Sequence, residues 1–261
     1  MRRRTTAVDR TQQRRGIYIL PNLFTSASLF SGFYAIVSAI QGHHVAAAIA
    51  ILVSAVLDGL DGRVARLTNT TSRFGVEYDS LADLVAFGVA PGILAFLWGL
   101  QGYGRLGWLA AFLYVATTAL RLARFNVLSQ SGKGSKAYFL GLPCPAAATL
   151  VAATVLFCQH LGILGPVRHI AILGMVYALS FLMVSSVRYF SFKEVKWFQQ
   201  HPFSGMVALI LAIVIVAMEP KVILFGVMLL YVLSGPVAGT IKILIPGAFV
   251  KRHGEVKEPK H

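Results

Sequence analysis

The sequence predicts an all-α membrane protein, a polytopic bundle of about eight helical spans with both termini in the cytoplasm. Three observations support this fold class. First, 56% of the 261 residues are hydrophobic and the mean hydropathy is +0.69, which is too apolar for a soluble domain of this length. Second, the apolar residues form stretches of about 20, the length at which a helix crosses a bilayer. Third, the basic residues are concentrated between those stretches.

Eight apolar stretches are expected to be the membrane spans. They cover residues 17–41, 45–67, 80–100, 106–128, 145–163, 169–189, 204–218 and 222–243. The seventh is short and the eighth contains Pro236, so the ends of these two are the least well defined. The connection at 129–143 is expected to be a loop, with Pro143 and Pro145 at the start of the fifth helix.

The expected domain organisation is one membrane domain at residues 17–250. A basic cytoplasmic arm at 1–16 precedes it, and a charged cytoplasmic tail at 251–261 follows it. The arm is polar and Arg-rich, and no cleavage pattern follows the first apolar run, which argues against an N-terminal signal peptide.

The positions of the Lys and Arg residues predict the orientation. With both termini in the cytoplasm, 21 of the 24 lie on the cytoplasmic side, and Arg105, Arg168 and Lys221 lie on the other. This distribution follows the positive-inside rule and predicts the orientation of the spans. The expected location is the cell (inner, cytoplasmic) membrane. Anionic lipid headgroups then account for the net charge of +14. Nucleic acid is not an expected partner, because no basic helix interleaved with aromatic residues occurs.

The cysteines and histidines give little functional indication. Cys144 and Cys158 lie at or within apolar segments, and their spacing indicates neither a disulfide nor a zinc site. The pair His43–His44 could bind a metal, although an exposed pair in a short hairpin is more often simply solvated.

A cluster of acidic residues is the main chemical signal. Five of the ten acidic residues lie between positions 58 and 83. Asp58 and Asp61 are three apart and Asp79 and Asp83 four apart, so each pair lies on one face of a helix. The short connection LTNTTSRFG makes the two helices antiparallel neighbours, which brings both pairs together at the cytoplasmic end.

Such a cluster requires compensating charge. Carboxylates repel each other at low dielectric, and each costs about 2.5–3.5 kcal/mol deep in a membrane helix. Divalent cations relieve both costs, and a set of oxygen ligands suits Mg²⁺ or Mn²⁺. The alternative is that the aspartates pair with nearby arginines as solvated helix ends, namely with Arg63, Arg66 and Arg73.

The acidic residues belong to a motif that resembles the signature of the CDP-alcohol phosphatidyltransferases. The motif spans 26 residues, and its fixed positions are Asp58, Asp61, Gly62, Ala65, Arg66, Gly75, Asp79 and Asp83. The resemblance implies that two divalent cations bridge the four aspartates and hold the pyrophosphate of a CDP-linked lipid. It also implies that Asp83 serves as the general base.

Further residues are expected to contact the CDP-lipid. Gly62 lets a nucleotide approach the backbone, Ala65 keeps the next turn narrow, and Arg66 can donate to phosphate oxygens. Ser72 precedes Gly75 by three, where the family often has a hydroxyl. The element PNLFT resembles the family's first-helix motif and adds Asn22 and Thr25. Two of these contacts have a structural alternative: Arg66 could instead anchor its helix at the membrane interface, and PNLFT could instead form the turn at which the chain enters the membrane.

The acceptor alcohol is indicated by a second pattern. RLARFN at 121–126, followed by GLPCPA at 141–146, resembles the integral-membrane phosphatidylserine synthases within this family. The resemblance implies transfer of the phosphatidyl group from CDP-diacylglycerol to L-serine, with CMP released. Arg121, Arg124 and Asn126 would then receive the serine carboxylate, although their position alone would favour the arginines as markers of a span end.

Other interpretations stay open. Glycerol 3-phosphate is the next acceptor, inositol 1-phosphate is a third, and a divalent-cation transporter is an alternative from another class. Against transport, the aspartates lie at one membrane face, and no polar helix continues outward. Membrane lipids are expected partners, and the family resemblance implies a homodimer.

Overall fold

The computed structural model describes residues 19–68, 72–130, 138–163, 170–190 and 219–244. Within these ranges the chain forms seven helices and a small two-stranded ribbon. The helices are α1 (Ile19–Ile40), α2 (His44–Thr68), α3 (residues 73–103), α4 (Arg105–Gln130), α5 (Cys144–His160), α6 (Ile170–Val184) and α7 (Pro220–Leu244). The strands are β1 (Tyr138–Leu140) and β2 (Arg188–Phe190).

The predicted helical membrane architecture is confirmed in its main features. Five helices are long and apolar enough to cross a membrane; they contain Asn22–Ile40, His44–Val64, Phe74–Tyr103, Arg105–Ser129 and Pro220–Ala238. They correspond to predicted spans one to four and eight. Helices α5 and α6, at predicted spans five and six, are shorter, with 17 and 15 residues. The predicted span 204–218, the arm 1–16 and the tail 251–261 lie outside the described residues.

Helices α1 and α2 form a tight hairpin through small and hydroxyl-bearing side chains. The hydroxyls of Ser28 and Ser54 are 2.7 Å apart, and Ser31 donates to the Ala50 carbonyl at 2.8 Å. The turn between the helices contains Gly42, whose φ of 79° favours glycine. In a membrane no hydrophobic driving force brings helices together, so they associate through close packing, and small residues allow their backbones to approach closely. The hairpin therefore holds the N-terminal part of α1 against the end of α2.

Helix α3 is irregular, and its irregularity begins directly after Asp83. An α-helical segment, Arg73–Asp83, is followed by a π-helical turn at Leu84–Val89 and a further α-helical segment at Ala90–Ala95. Pro91 explains the wide turn: it has no N–H, and in a regular α-helix its ring would collide with the carbonyl four residues earlier. The N–H of Ala90 instead donates to the Val85 carbonyl, one residue further back than in an α-helix.

The ribbon corrects two sequence predictions. The predicted loop at 129–143 contains β1, and the predicted span at 169–189 ends as a helix at Val184, after which β2 begins. The strands are antiparallel, with Phe139 opposite Tyr189. The all-α class therefore has this one exception among the described residues.

Tertiary packing explains why the ribbon forms. Gly141, with φ of 77°, donates its N–H to the Val187 carbonyl at 2.9 Å. Tyr189 is fully buried, and its hydroxyl donates to the Val232 carbonyl at 3.1 Å. The absence of a side chain at Gly235 leaves space for this ring, because a Cβ there would lie 2.6 Å from its Cε1 atom.

Candidate active site

The four aspartates meet between α2 and α3. Asp58, Asp61 and Asp79 each offer a carboxylate oxygen, and these atoms lie within 4.8 Å of one another. Asp61 is buried, with 5% of its surface exposed, and Asp58 and Asp79 are half-buried. The carboxyl group of Asp83 lies beside that of Asp58, close enough for the two groups to interact. The helical spacing of the two pairs thus places all four side chains in one cluster, as the sequence predicts.

A helix cap sets where α3 begins and hence where Asp79 and Asp83 lie. Ser72 has an extended backbone, with φ of −117° and ψ of 153°, and its Oγ accepts from the N–H of Gly75 at 2.9 Å. The hydroxyl predicted to contact nucleotide therefore caps the helix in this structure. Starting from this cap, Asp79 and Asp83 follow one turn apart on the same face.

The first-helix motif lies beside the aspartates. Thr25 is buried, with 4% exposed, and its hydroxyl donates to Oδ2 of Asp61 at 3.0 Å. A Cβ atom added at Gly75 would lie 3.5 Å from Asn22 Oδ1 and 3.1 Å from Ser72 Oγ. Gly75 is thus closely surrounded by polar atoms of α1 and the cap. Four of the predicted CDP-lipid residues therefore lie together next to the cluster.

The cluster suits a divalent cation. Oδ1 of Asp79 is buried without a hydrogen-bond partner, which is costly for a carboxylate unless another ligand satisfies it. The available donors are carboxylate oxygens, the ligands that hard cations prefer. The acidic cluster could therefore bind metal.

Of the three arginines that could neutralise the aspartates, only Arg63 has a side chain that the structure describes. Arg63 is exposed, and within the described part of the chain no salt bridge joins it to the cluster. The side chains of Ala65, Arg66 and Arg73 lie outside what the structure describes.

Gly62 borders open space. It is exposed, and a Cβ at this position would meet nothing within 4 Å. The packing of the protein therefore does not itself require a glycine here. A glycine next to Asp61 leaves the backbone open to a ligand.

The predicted acceptor residues occupy three different environments. Arg121 is half-buried; its Nη1 donates to Cys144 Sγ at 3.3 Å, and its Nε is buried without a partner. Arg124 is exposed and donates to the Val184 carbonyl at 3.4 Å. Asn126 Nδ2 donates to the Ser80 hydroxyl at 2.9 Å and so connects α4 to α3.

Cys144, to which the sequence assigned no role, is a neighbour of the site. It is fully buried at the start of α5, and its thiol interacts electrostatically with both Arg121 and Asp83. The signal was available, because Cys144 occupies the variable position of GLPCPA. Its contact places the predicted acceptor arginine on the Asp83 side of the cluster.

The fold and the site define a helical membrane protein with a cluster of carboxylates able to bind cations at one end of the bundle. The family model for CDP-alcohol phosphatidyltransferase matches residues 18–184, and the chain belongs to this family. The resemblance predicted from the aspartate motif is thereby confirmed.

The relatives agree with this assignment. A CDP-diacylglycerol–serine O-phosphatidyltransferase of Helicobacter pylori strain J99 is 46% identical over 181 residues, covering 69% of this chain and 76% of the relative. One of Saccharomyces cerevisiae is 41% identical, covering 56% of each chain. The archaetidylserine synthase of Methanothermobacter thermautotrophicus is 36% identical, covering 65% of this chain and 69% of the relative.

Proposed function

We propose that this protein transfers the phosphatidyl group of CDP-diacylglycerol to L-serine, giving phosphatidylserine and CMP. The observation that carries the proposal is the aspartate cluster, in which three carboxylate oxygens lie within 4.8 Å and Asp79 Oδ1 is left unsatisfied. Serine as the acceptor is supported by the similarity to relatives that are named CDP-diacylglycerol–serine O-phosphatidyltransferases.

The four aspartates, Asp58, Asp61, Asp79 and Asp83, would hold two divalent cations, either Mg²⁺ or Mn²⁺. When bound, these ions would neutralise the negative charge of the pyrophosphate as the bond between the lipid phosphorus and the oxygen of CMP breaks. Thr25 orients Asp61 through its hydrogen bond, which presets the carboxylate for ligation.

The CDP-lipid is proposed to lie over the end of α2 and the start of α3. Asn22 and Thr25 border this region from α1, and Ser72 and Gly75 border it from the helix cap. Gly62 leaves the backbone accessible to the nucleotide. Ala65 and Arg66 keep their proposed roles, a narrow turn and a phosphate donor.

The transfer step is proposed to be direct. The serine hydroxyl oxygen attacks the lipid phosphorus, the bond from this phosphorus to the oxygen of CMP breaks, and CMP leaves with the electron pair. Asp83 accepts the hydroxyl proton on a carboxylate oxygen as the new bond forms. A covalent intermediate would require an activated nucleophile, and the stretch 58–83 contains no cysteine or histidine.

The serine carboxylate is proposed to bind on the α4 side of the cluster. Arg121 brings a buried, unpaired Nε–H to this side, and an arginine can bind a carboxylate through two parallel hydrogen bonds. Arg124 and Asn126 complete the proposed acceptor set. Glycerol 3-phosphate would use the same basic residues and is therefore the main competitor.

The membrane arrangement is also a proposal. We place the active site at the cytoplasmic face of the cell membrane, with eight spans, both termini inside and a single domain at 17–250. The positive-inside distribution of Lys and Arg supports this orientation. A homodimer is proposed from family membership.

An acceptor panel tests the function. Purified protein is given CDP-diacylglycerol and Mn²⁺ with serine, glycerol 3-phosphate, inositol 1-phosphate or no acceptor, and CMP and lipid products are measured. We expect rapid CMP release and phosphatidylserine with serine alone. Preference for glycerol 3-phosphate would overturn the acceptor assignment, and Mn²⁺ flux in proteoliposomes without CMP release would favour the transporter.

A further inference from the structure

Helices α3 and α4 run antiparallel and pack closely. A Cβ atom added at Gly88 would lie 3.1 Å from Cγ2 of Thr118, and one added at Gly92 would lie 3.1 Å from Cγ2 of Val115. The two glycines therefore let the helices approach each other closely. As the positions in α3 come later in the chain, their partners in α4 come earlier. In the opposite direction, the interface continues from Gly88 toward the aspartates.

A pair of polar side chains, Ser80 and Asn126, joins the two helices at the aspartate end. Oγ of Ser80 accepts from Nδ2 of Asn126 at 2.9 Å and donates to the carbonyl of Val76, in its own helix, at 3.0 Å. Nδ2 of Asn126 also lies 3.5 Å from Oε2 of Glu77. Among the described residues, the Asn126 amide therefore forms its hydrogen bonds with α3.

The residues proposed for the transfer step lie between this pair and the glycines. Asp83 follows Ser80 by three residues, about 4.5 Å along α3, and Arg121 precedes Asn126 by five residues, about 7.5 Å along α4. Because the helices run antiparallel, both offsets point toward Gly88. The proposed base and the proposed serine ligand therefore lie at neighbouring levels of one interface.

The π-helical turn at Leu84–Val89 separates this part of α3 from the rest of the helix. Such a turn interrupts the regular hydrogen-bond ladder of an α-helix. The two glycines lie within the turn and beyond it, so their contacts do not by themselves fix the segment that carries Asp79 and Asp83. The bond between Ser80 and Asn126 is on the other side of the turn. It holds this segment directly against α4.

We propose that Asn126 is a positioning residue for the transfer step, which acts through Ser80 and does not contact serine. The bond sets where Asp83 lies relative to Arg121, and hence where the base lies relative to the serine hydroxyl. This inference rests on the function proposed above. A serine carboxylate at the Asn126 amide would displace the bond to Ser80 and would meet the like charge of Glu77. Within the proposed acceptor set, Asn126 then acts by position.

Steady-state kinetics separates positioning from binding. CMP release by purified full-length protein is measured against serine concentration, at saturating CDP-diacylglycerol and Mn²⁺, for Ser80→Ala, Asn126→Ala and the double variant. A small misplacement of reacting groups can cost up to about 100-fold in rate, so we expect kcat to fall about 10- to 100-fold in each single variant. The KM for serine should stay near wild type. The double variant should be no slower than the slower single variant, because both changes remove the same bond.

Three controls accompany these variants. Ser80→Thr keeps the hydroxyl and should retain most of the kcat. Ser234→Ala should match wild type, because the Ser234 hydroxyl donates only within its own helix, to the Tyr231 carbonyl at 2.6 Å. Mn²⁺ affinity, measured by calorimetric titration, should stay near wild type in every variant. The metal side is held from α1 instead, where the Ser26 and Tyr78 hydroxyls are 2.9 Å apart.

Several results would overturn the positioning role. A raised KM for serine in Asn126→Ala, with normal kinetics in Ser80→Ala, would show that Asn126 binds serine directly. Wild-type kcat in both single variants, additive losses in the double variant, or loss of Mn²⁺ affinity in Ser80→Ala would also contradict it. If the wild-type protein itself releases no CMP in response to serine, the proposed function fails, which is a different result from normal wild-type turnover with unaffected variants.

Discussion

The hydrogen bond from Thr25 to Asp61 offers a sharp test of how α1 supports the aspartate cluster. The bond is 3.0 Å long, and both residues are at least nine-tenths buried. Thr25→Val removes the hydroxyl and keeps nearly the same shape. Hydrogen bonds to charged groups contribute about 1.5–3 kcal/mol, and each 1.4 kcal/mol is about tenfold in affinity. Because the bond is already present without metal, only its contribution to orienting and ionising Asp61 is lost. We therefore expect Mn²⁺ to bind more weakly, by at most about 150-fold.

The measurement is a calorimetric titration of Mn²⁺ into purified protein, accompanied by CMP release as a function of Mn²⁺ concentration. Thr25→Ser keeps the hydroxyl and should stay near wild type. Thr154→Val is a matched control, because Thr154 is also buried and donates to a helix carbonyl, that of Leu150, at 2.7 Å. Unchanged Mn²⁺ affinity in Thr25→Val would refute the role assigned to this bond.

Three further predictions concern the proposed reaction. A chelator should abolish CMP release, and Asp79→Ala should prevent recovery by Mn²⁺ or Mg²⁺; full turnover in excess chelator would exclude the metal site. Arg121→Lys should raise the KM for serine about tenfold and leave CDP-lipid binding near normal, because lysine cannot replace a bidentate donor; wild-type serine kinetics in both this variant and Arg124→Lys would contradict it. Asp83→Asn should keep CDP-lipid affinity within a small factor and lose nearly all transfer. For the wild-type protein, exchange of labelled CMP into CDP-diacylglycerol without serine should be absent, and exchange at the turnover rate would rule out direct attack.

The aspartate cluster was predictable because its determinants are local. Residues three or four apart share a helix face, and a short connection keeps α2 and α3 adjacent. The helices themselves follow from apolar length. The cap at Ser72 was not predicted as a cap, although a serine directly before a helix is a common N-cap residue.

The ribbon could not be predicted from local pattern. Three-residue strands are too short to show an alternating period, and β1 and β2 are separated by about 50 residues of sequence. They are held by Tyr189, which needs both the Val232 carbonyl and the space above Gly235. Such partners become visible only in three dimensions. The π-helical turn after Asp83 is partly predictable. Pro91 indicates that the helix is irregular near this position, but it does not indicate that the irregularity is a π-helical turn.

The predicted pair of acceptor arginines shows the limit of helical periodicity. Arg121 and Arg124 are three apart, and this spacing puts their Cβ atoms on one face. Their long side chains nevertheless diverge: Arg121 contacts Cys144 inside the bundle, whereas Arg124 is exposed and reaches Val184. Of the two arginines, Arg121 is therefore the better proposed ligand for the serine carboxylate. Its position is interior, and solvent weakens a charge-assisted hydrogen bond at the surface.

Elements beyond the family match also contribute to the surroundings of Arg121. The match ends at residue 184, yet Tyr231 of α7 interacts electrostatically with this arginine. The ring of Tyr231 lies 5.6 Å from that of Tyr189, measured between centroids, and Tyr189 anchors the ribbon to α7. The aspartates and their supporting residues lie wholly within the matched region. It follows that the proposed centre for the CDP-lipid is built from the shared domain, whereas the acceptor side is also shaped by chain that follows it.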